Sequence, residues 1–151
     1  MTLTSVDSRC SIARTLEVIG QRWTILVIRE AVRGRTRFAE FRTRLGIAPD
    51  VLADRLGTLV DHGVLERRAY REAGQRERDE YVLTAAGRDL IPVLAALNAW
   101  GDVYAPTGFG PAVVFTATDT GRPVTLTFAD PDGVPVPNTG VMVQPGPGAL
   151  R

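Results

Sequence analysis

Between Phe38 and Leu59 two helical apolar repeats flank a connection of only a few residues. Phe38, Phe41 and Leu45 share one helical face, with Thr36 placed to cap the start and Gly46 at the end. A short connection, Gly46 to Ala48, leads to Pro49, a residue suited to the first position of a helix because its missing N–H would be unsatisfied there anyway. Leu52, Leu56 and Leu59 then recur at i, i+4 and i+7 until His62-Gly63 closes the helix. Two helices joined this tightly around a glycine are the sequence mark of a helix-turn-helix.

The flanks extend the pattern. Ile12, Leu16 and Ile19 make a short amphipathic helix closed by Gly20, and Trp23 to Val32 is apolar nearly all round, the pattern of a central buried helix, stopped by Gly34. After Gly63 the period changes. Val64 to Arg71 and Arg78 to Thr84 read as strands separated by the turn-like Glu72-Ala73-Gly74-Gln75, and a hairpin directly after a helix-turn-helix is a wing. Thr84 can cap one last helix with Pro92 early in it and a stripe of Leu90, Val93, Leu94, Leu97, Trp100 and Tyr104. Trp23 and Trp100 lie in apolar stripes and are expected in the core. The stripe is wider than one small domain needs, so Leu94, Leu97, Trp100 and Tyr104, with Ile12 and Leu16 of the first helix, are expected to meet a second subunit.

Composition shifts near Ala105: eight of the ten prolines and seven of the fifteen glycines lie in the last 46 residues. There Val113, Phe115 and Ala117 alternate with polar or outward neighbours, Asp119-Thr120-Gly121-Arg122 reads as a turn, and Val124, Leu126 and Phe128 alternate again before a second turn at Asp130-Pro131-Asp132-Gly133. The expected architecture is mainly α with a β wing. It comprises a flexible arm over 1–8, a winged helix-turn-helix over 9–105 and a small C-terminal antiparallel β-hairpin extension over 106–151.

Net charge is +1, but its distribution is uneven. All eighteen basic residues are arginine, and between Arg9 and Arg44 nine of them face only Glu17, Glu30 and Glu40. Arginine forks onto phosphate and guanine, so a local excess suits nucleic acid; a solvated helix face accounts for it equally well.

The order of these pieces resembles the HxlR-type winged-helix regulators. The resemblance is carried by Cys10, Ile19-Gly20-Gln21-Arg22-Trp23, Leu26 with Arg29-Glu30, Arg37-Phe38-Ala39-Glu40-Phe41, Leu52-Ala53-Asp54-Arg55-Leu56, Leu59 and Gly63-Val64-Leu65. It continues through Glu80-Tyr81-Val82-Leu83-Thr84, Gly87, Leu97 and Trp100-Gly101. It implies a homodimer built on the terminal helices and bound to a palindromic operator. The chain departs from it at Ala48, where Ser or Thr is usual, and at Asp50, where a basic or small polar residue is common.

In such a fold the second helix of the motif enters the major groove with its N-terminal residues leading. With the three leucines inward, Pro49 heads the helix and Asp50, Val51, Ala53, Asp54, Arg55 and Thr58 face out, near Thr36 and Arg37 at the start of the preceding helix. Arg55 suits guanine or phosphate, or an ion pair with Glu40 or Asp54; Thr58 suits a phosphate. Asp50 and Asp54 suit the cytosine amino group, and Asp50 equally suits the helix dipole. On the wing, Arg76 and Arg78 are the candidates for backbone contact.

Other chemistry finds no support. One cysteine allows no intramolecular disulfide and suits a reducing cytoplasm. Met1 to Ser8 lacks a signal-peptide pattern, and apolar runs such as Ile25 to Ile28 are too short for a bilayer. His62 and Cys10 give no metal spacing and no triad, so neither metal, cofactor nor enzymatic activity is expected. Cys10 has two readings: a redox sensor, in the electropositive setting of a helix start beside Arg9 and Arg14, or a small inert side chain at a dimer interface. The expected partners are double-stranded DNA, a second copy and a small-molecule effector, with thiol oxidation or protein concentration alone as other triggers. A protein-interaction adaptor is the competing reading, because Asp50 and Asp54 weaken the DNA face.

Overall fold

A computed structural model describes residues 9–148, so the expected arm at 1–8 and residues 149–151 lie outside the described residues. The chain divides into two compact units, the first running to Ile91 and the second from Pro92.

The first unit is a winged helix-turn-helix. It comprises α1 (Ser11–Ile19), α2 (Arg22–Val32), α3 (Phe38–Leu45), α4 (Pro49–Asp61), β1 (Leu65–Tyr70), β2 (Arg78–Leu83) and α5 (Ala85–Arg88). The wing strands pair antiparallel from Leu65 opposite Leu83 to Tyr70 opposite Arg78. The free edge of β2 is covered by the segment entering α3: the Tyr81 N–H donates to the Thr36 carbonyl at 2.7 Å, and Arg37 bridges to Glu80. Val27, Phe41, Leu52, Leu56 and Leu59 are fully withdrawn from water, joined by Ile19, Ile28, Ile47, Val64 and Leu65. The apolar faces of α2, α3 and α4 thus meet in one core.

Local chemistry sets the joints. Gly46 ends α3 at φ 62°, a left-handed conformation that a side chain would strain, and Pro49 opens α4 three residues later. The Thr84 hydroxyl accepts from the Gly87 N–H at 3.1 Å and reaches the Gly63 carbonyl at 2.6 Å, so one side chain caps α5 and ties it to the end of the helix-turn-helix.

Three expectations are corrected. The N-cap of α3 is Arg37 and not Thr36, because Thr36 is held extended by its pairing with Tyr81. The single last helix is two: α5 ends at Arg88, and α6 runs Ile91–Tyr104. Pro92 explains the break, since it has no N–H and its ring clashes with the carbonyl of residue 88, whereas the first turn of a new helix tolerates it. Neither tryptophan is deeply buried. Trp23 is half-buried beneath the Arg22 guanidinium, 5.4 Å from its ring centroid, and Trp100 is 63% exposed, because α6 buries no residue.

The second unit holds α6 and two short hairpins. Regular pairing is confined to β3 (Phe128–Ala129) and β4 (Pro135–Val136), around a turn in which the Asp130 carboxylate accepts from the N–H groups of Asp132 and Val134 at 3.0 and 2.9 Å. At the Asp119 turn the expected long strands shrink to a bridge between Thr116 and Pro123, supported by Val124 N–H to Phe115 carbonyl at 2.9 Å. Pro123 and Pro135 bring no ladder donor, which keeps both hairpins short.

Two glycines with opposite surroundings test this packing. A Cβ on Gly87 would stand 2.3 Å from the Val64 carbonyl oxygen, whereas one on Gly57, inside α4, would meet open space. Gly87→Ala is expected to destabilise by roughly 1–3 kcal/mol and Gly57→Ala to stabilise by about 1 kcal/mol, measured by urea unfolding.

Candidate nucleic-acid interface

The site grows from the seating of α4. Leu52, Leu56 and Leu59 have no exposure, so Asp50, Ala53 and Asp54 stand fully out and Val51, Arg55 and Thr58 stand partly out. The first turn of α4, behind Ala48 and Pro49, has no side-chain cap, which leaves its backbone N–H groups open. The outward charges are mixed. Arg55 is drawn down beside its neighbour, with Nη2 3.3 Å from Asp54 Oδ2 and 21% side-chain exposure, and its buried Nε has no hydrogen-bond partner among the described residues. The Thr58 hydroxyl donates to the Asp54 carbonyl at 3.0 Å. Of the two carboxylates open to Arg55 in the sequence, Glu40 and Asp54, it pairs with Asp54.

At the start of α3, Glu40 takes the cap. Its Oε2 accepts from the N–H groups of Thr36 and Arg37, both at 3.0 Å. The Arg37 donor, then the Thr36 donor, hold this carboxyl below the usual carboxylate range. Arg37 itself reaches the wing: its guanidinium lies 4.6 Å from the Tyr70 ring centroid and pairs with Glu72, which holds the arginine protonated more firmly still.

The wing sorts its arginines. Arg68 pairs with Glu66, and Arg67 lies 3.7 Å from Asp79 and over the Tyr81 ring at 5.7 Å. Arg71 donates to the Gln75 carbonyl at 3.1 Å, closing the loop. Arg76 and Arg78 are exposed and form no ion pair among the described residues. Thr36, Arg37, the outward residues of α4 and the wing arginines therefore all belong to one compact unit.

One functional group escaped the sequence reading. Glu30, at 1% exposure, is the buried carboxylate of the unit, and its Oε1 accepts from Arg29 Nε at 2.9 Å and Arg33 Nη1 at 3.0 Å. Arg44 of α3 stands 3.9 Å from its other oxygen. The available signal was a lone acid at the core spacing of Val27, Ile28 and Ala31.

The remaining candidates lie elsewhere. Cys10 is exposed at the N-cap of α1 and makes no capping bond, and Ile12 and Leu16 on α1 are 72% and 55% exposed. On α6, Leu97 and Tyr104 are exposed beside Trp100, and Leu94 is half-buried. Among the described residues no group of His, Cys, Asp and Glu could hold a metal, and no helix is long and apolar enough to cross a membrane.

Comparison with known proteins gives this geometry a context. Residues 18–109 match the family model described as HxlR-like helix-turn-helix. An HTH-type transcriptional regulator of Mycobacterium tuberculosis is 38% identical over 144 residues, spanning 91% of this chain and 87% of the relative. A candidate transcription factor from Pseudomonas aeruginosa, PA1374, is 42% identical with a TM-score of 0.65, covering 93% of this chain and 95% of that one. The transcriptional regulator YodB of Bacillus subtilis, solved in a reduced form, is 29% identical with a TM-score of 0.55 and covers 63% of this chain and 93% of its own. Likeness to the first two extends past the family match into the C-terminal residues.

The Glu40 cap makes a pH-dependent contribution. Its folded value lies below the unfolded one, so the stabilisation is present above the ordinary carboxylate range and is lost as pH falls through the lowered value. Glu40→Gln is expected to cost about 0.3–1 kcal/mol near neutral pH, and the gap from the parent is expected to close in acid, read from paired denaturant titrations.

Proposed function

Because the chain belongs to the HxlR-like helix-turn-helix family and is a transcriptional regulator with a helix-turn-helix DNA-binding fold, we propose that it binds a palindromic operator as a homodimer whose affinity an effector adjusts. The observation that supports this most is the seating of α4: three fully buried leucines aim its opposite side and open first turn outward, on the same unit as the exposed Arg76 and Arg78. In this reading Pro49, Asp50 and Val51 lead α4 into the major groove, with Ala53, Asp54, Arg55 and Thr58 along the groove-facing side. Thr36 and Arg37 meet phosphates beside it, and the wing arginines follow the backbone. The two-fold symmetry of a dimer would be mirrored in the operator.

The subunit contact is assigned to Ile12 and Leu16 of α1 and Leu94, Leu97, Trp100 and Tyr104 of α6, apolar side chains that stand wholly or partly in water. DNA binding is assigned to residues 9–105, with 106–151 as an extension. The trigger in this reading is a small molecule, oxidation of the exposed Cys10, or protein concentration alone.

Two measurements test the reading. Arg76→Ala is expected to weaken specific and non-specific duplex binding alike and to lower the salt slope by about one unit per subunit. Arg55→Ala is expected to cost roughly 1–3 kcal/mol on the operator found by footprinting upstream of the coding region. If both variants bind as the parent does at every salt concentration, α4 and the wing are not the reading surface; absence of any duplex binding would favour an adaptor. Leu97→Asp is expected to give monomers or unfolded chain in sedimentation, because it places a charge in an apolar contact. A parent that sediments as a stable monomer at micromolar concentration would remove the dimer.

A further inference from the structure

The second unit contains a cleft of about 540 Å³ lined by one face of α6 and by the second hairpin, including Ala96, Trp100, Val103, Tyr104, Phe128 and Asn138. We infer that this cleft is a binding site for one uncharged, aromatic small molecule per chain, and this rests on the effector arm of the reading above.

Three properties of the cleft specify that ligand. Its size is that of sites that enclose a single small molecule, which are mostly apolar with a few placed polar groups. Its walls are aromatic on both sides. Trp100 and Tyr104 form a tilted pair with centroids 5.4 Å apart and planes at 40°, and Phe128 of β3 lines the same cleft from the hairpin, 55% exposed. Ring faces and edges presented in this way favour a flat π-system in offset or edge-on contact over an aliphatic chain. Its lining carries no carboxylate, ammonium or guanidinium group, so a charged ligand would lose hydration without gaining a partner. The Asn138 carboxamide, at the start of the Asn138–Gly140 turn, makes no hydrogen bond among the described residues and offers one donor–acceptor pair to a hydroxyl or carbonyl.

The helix separates this cleft from the Leu94 and Leu97 part of the surface given above to the second subunit. At about 100° per residue, Ala96, Ala99, Trp100 and Val103 point one way, Leu94, Leu97 and Gly101 point roughly a third of a turn away, and Asn98 and Asp102, joined at 2.8 Å, point a third way. Trp100 and Tyr104, assigned to the subunit contact, line the cleft, whereas Leu94 and Leu97 do not. One helix can therefore serve a ligand on one face and a partner chain on another.

The test uses the full-length chain with N-phenyl-1-naphthylamine, a neutral aromatic fluorophore, and a Trp23→Phe background that leaves Trp100 as the tryptophan reporter. Expected are saturable binding at one site per chain with quenching of Trp100, and displacement by 2-naphthol at roughly tenfold lower concentration than by 2-naphthoate or cyclohexanol. Phe128→Ala is expected to weaken the probe by about tenfold or more, and Asn138→Ala to reduce the preference for 2-naphthol over naphthalene. Arg55→Ala and Arg76→Ala, which disable the proposed DNA face, should leave probe binding unchanged, so loss of operator recognition and loss of this site are separate results. Probe binding that does not saturate, survives Phe128→Ala, or fails to distinguish 2-naphthol from 2-naphthoate overturns the inference. So does probe binding that appears only on dilution to monomers, which would mean that a second copy fills the cleft.

Discussion

Three leucines on α4 fix what the first unit presents to the outside. With Leu52, Leu56 and Leu59 fully buried, the rotation of α4 about its axis is not adjustable. Each leucine removed would cost about 2–5 kcal/mol, far more than any outward contact of that helix is worth. The left-handed Gly46 and the Pro49 start set where the helix begins, and the leucines set which side looks out. Asp50, Asp54 and Arg55 are outward or partly outward because those three positions are inward, and no polar interaction on the surface competes with that arrangement.

Electrostatics plays a different part from the one that the arginine count suggests. Seven of the eighteen arginines pair with carboxylates among the described residues. Arg29 and Arg33 both donate to one oxygen of the buried Glu30, and Arg37, Arg55, Arg67 and Arg68 lean on Glu72, Asp54, Asp79 and Glu66. Glu30 is the costly member of this set, because a buried carboxylate persists only when its donors are in place. Its pairing also brings Arg44 of α3 toward α2. The positive charge open to a phosphate is consequently sparser than the sequence implies, and on the wing Arg76 and Arg78 are the exposed arginines that neither pair with a carboxylate nor close the loop.

Much of the first unit was legible because its signals are local and repeated. Leucine spacing, the Gly46 turn, Pro49 and the change of period after Gly63 each report a backbone state directly, and all appear where expected. The misreadings share a different origin. Thr36 is a good cap by residue type, but Tyr81 of β2, far away in sequence, claims its carbonyl and leaves the capping to Glu40. The stripe through Leu90 and Trp100 continues across the break at Pro92, so apolar periodicity alone could not reveal that one helix had become two. Ion-pair choice was equally hidden, since Arg55 reaches Asp54 through a rotamer and not through a pattern. Trp100 shows a further limit: an apolar side chain in a stripe faces a surface, and its own unit need not supply the cover.

The tie between Arg37 and the wing has a mechanical meaning. Both members of the Arg37–Glu72 pair are more than two-fifths exposed, so water screens the pair and it is worth little, and the ring of Tyr70 adds a weak contribution of its own. A link that weak steers the wing without clamping it. Loss of the Arg37–Glu72 pair would leave the loop held by the Arg71 guanidinium, which donates to the Gln75 carbonyl. The strands of the hairpin keep their own register from Leu65–Leu83 to Tyr70–Arg78, so Arg37 acts on the loop at its tip as a weak tether and not as a clamp.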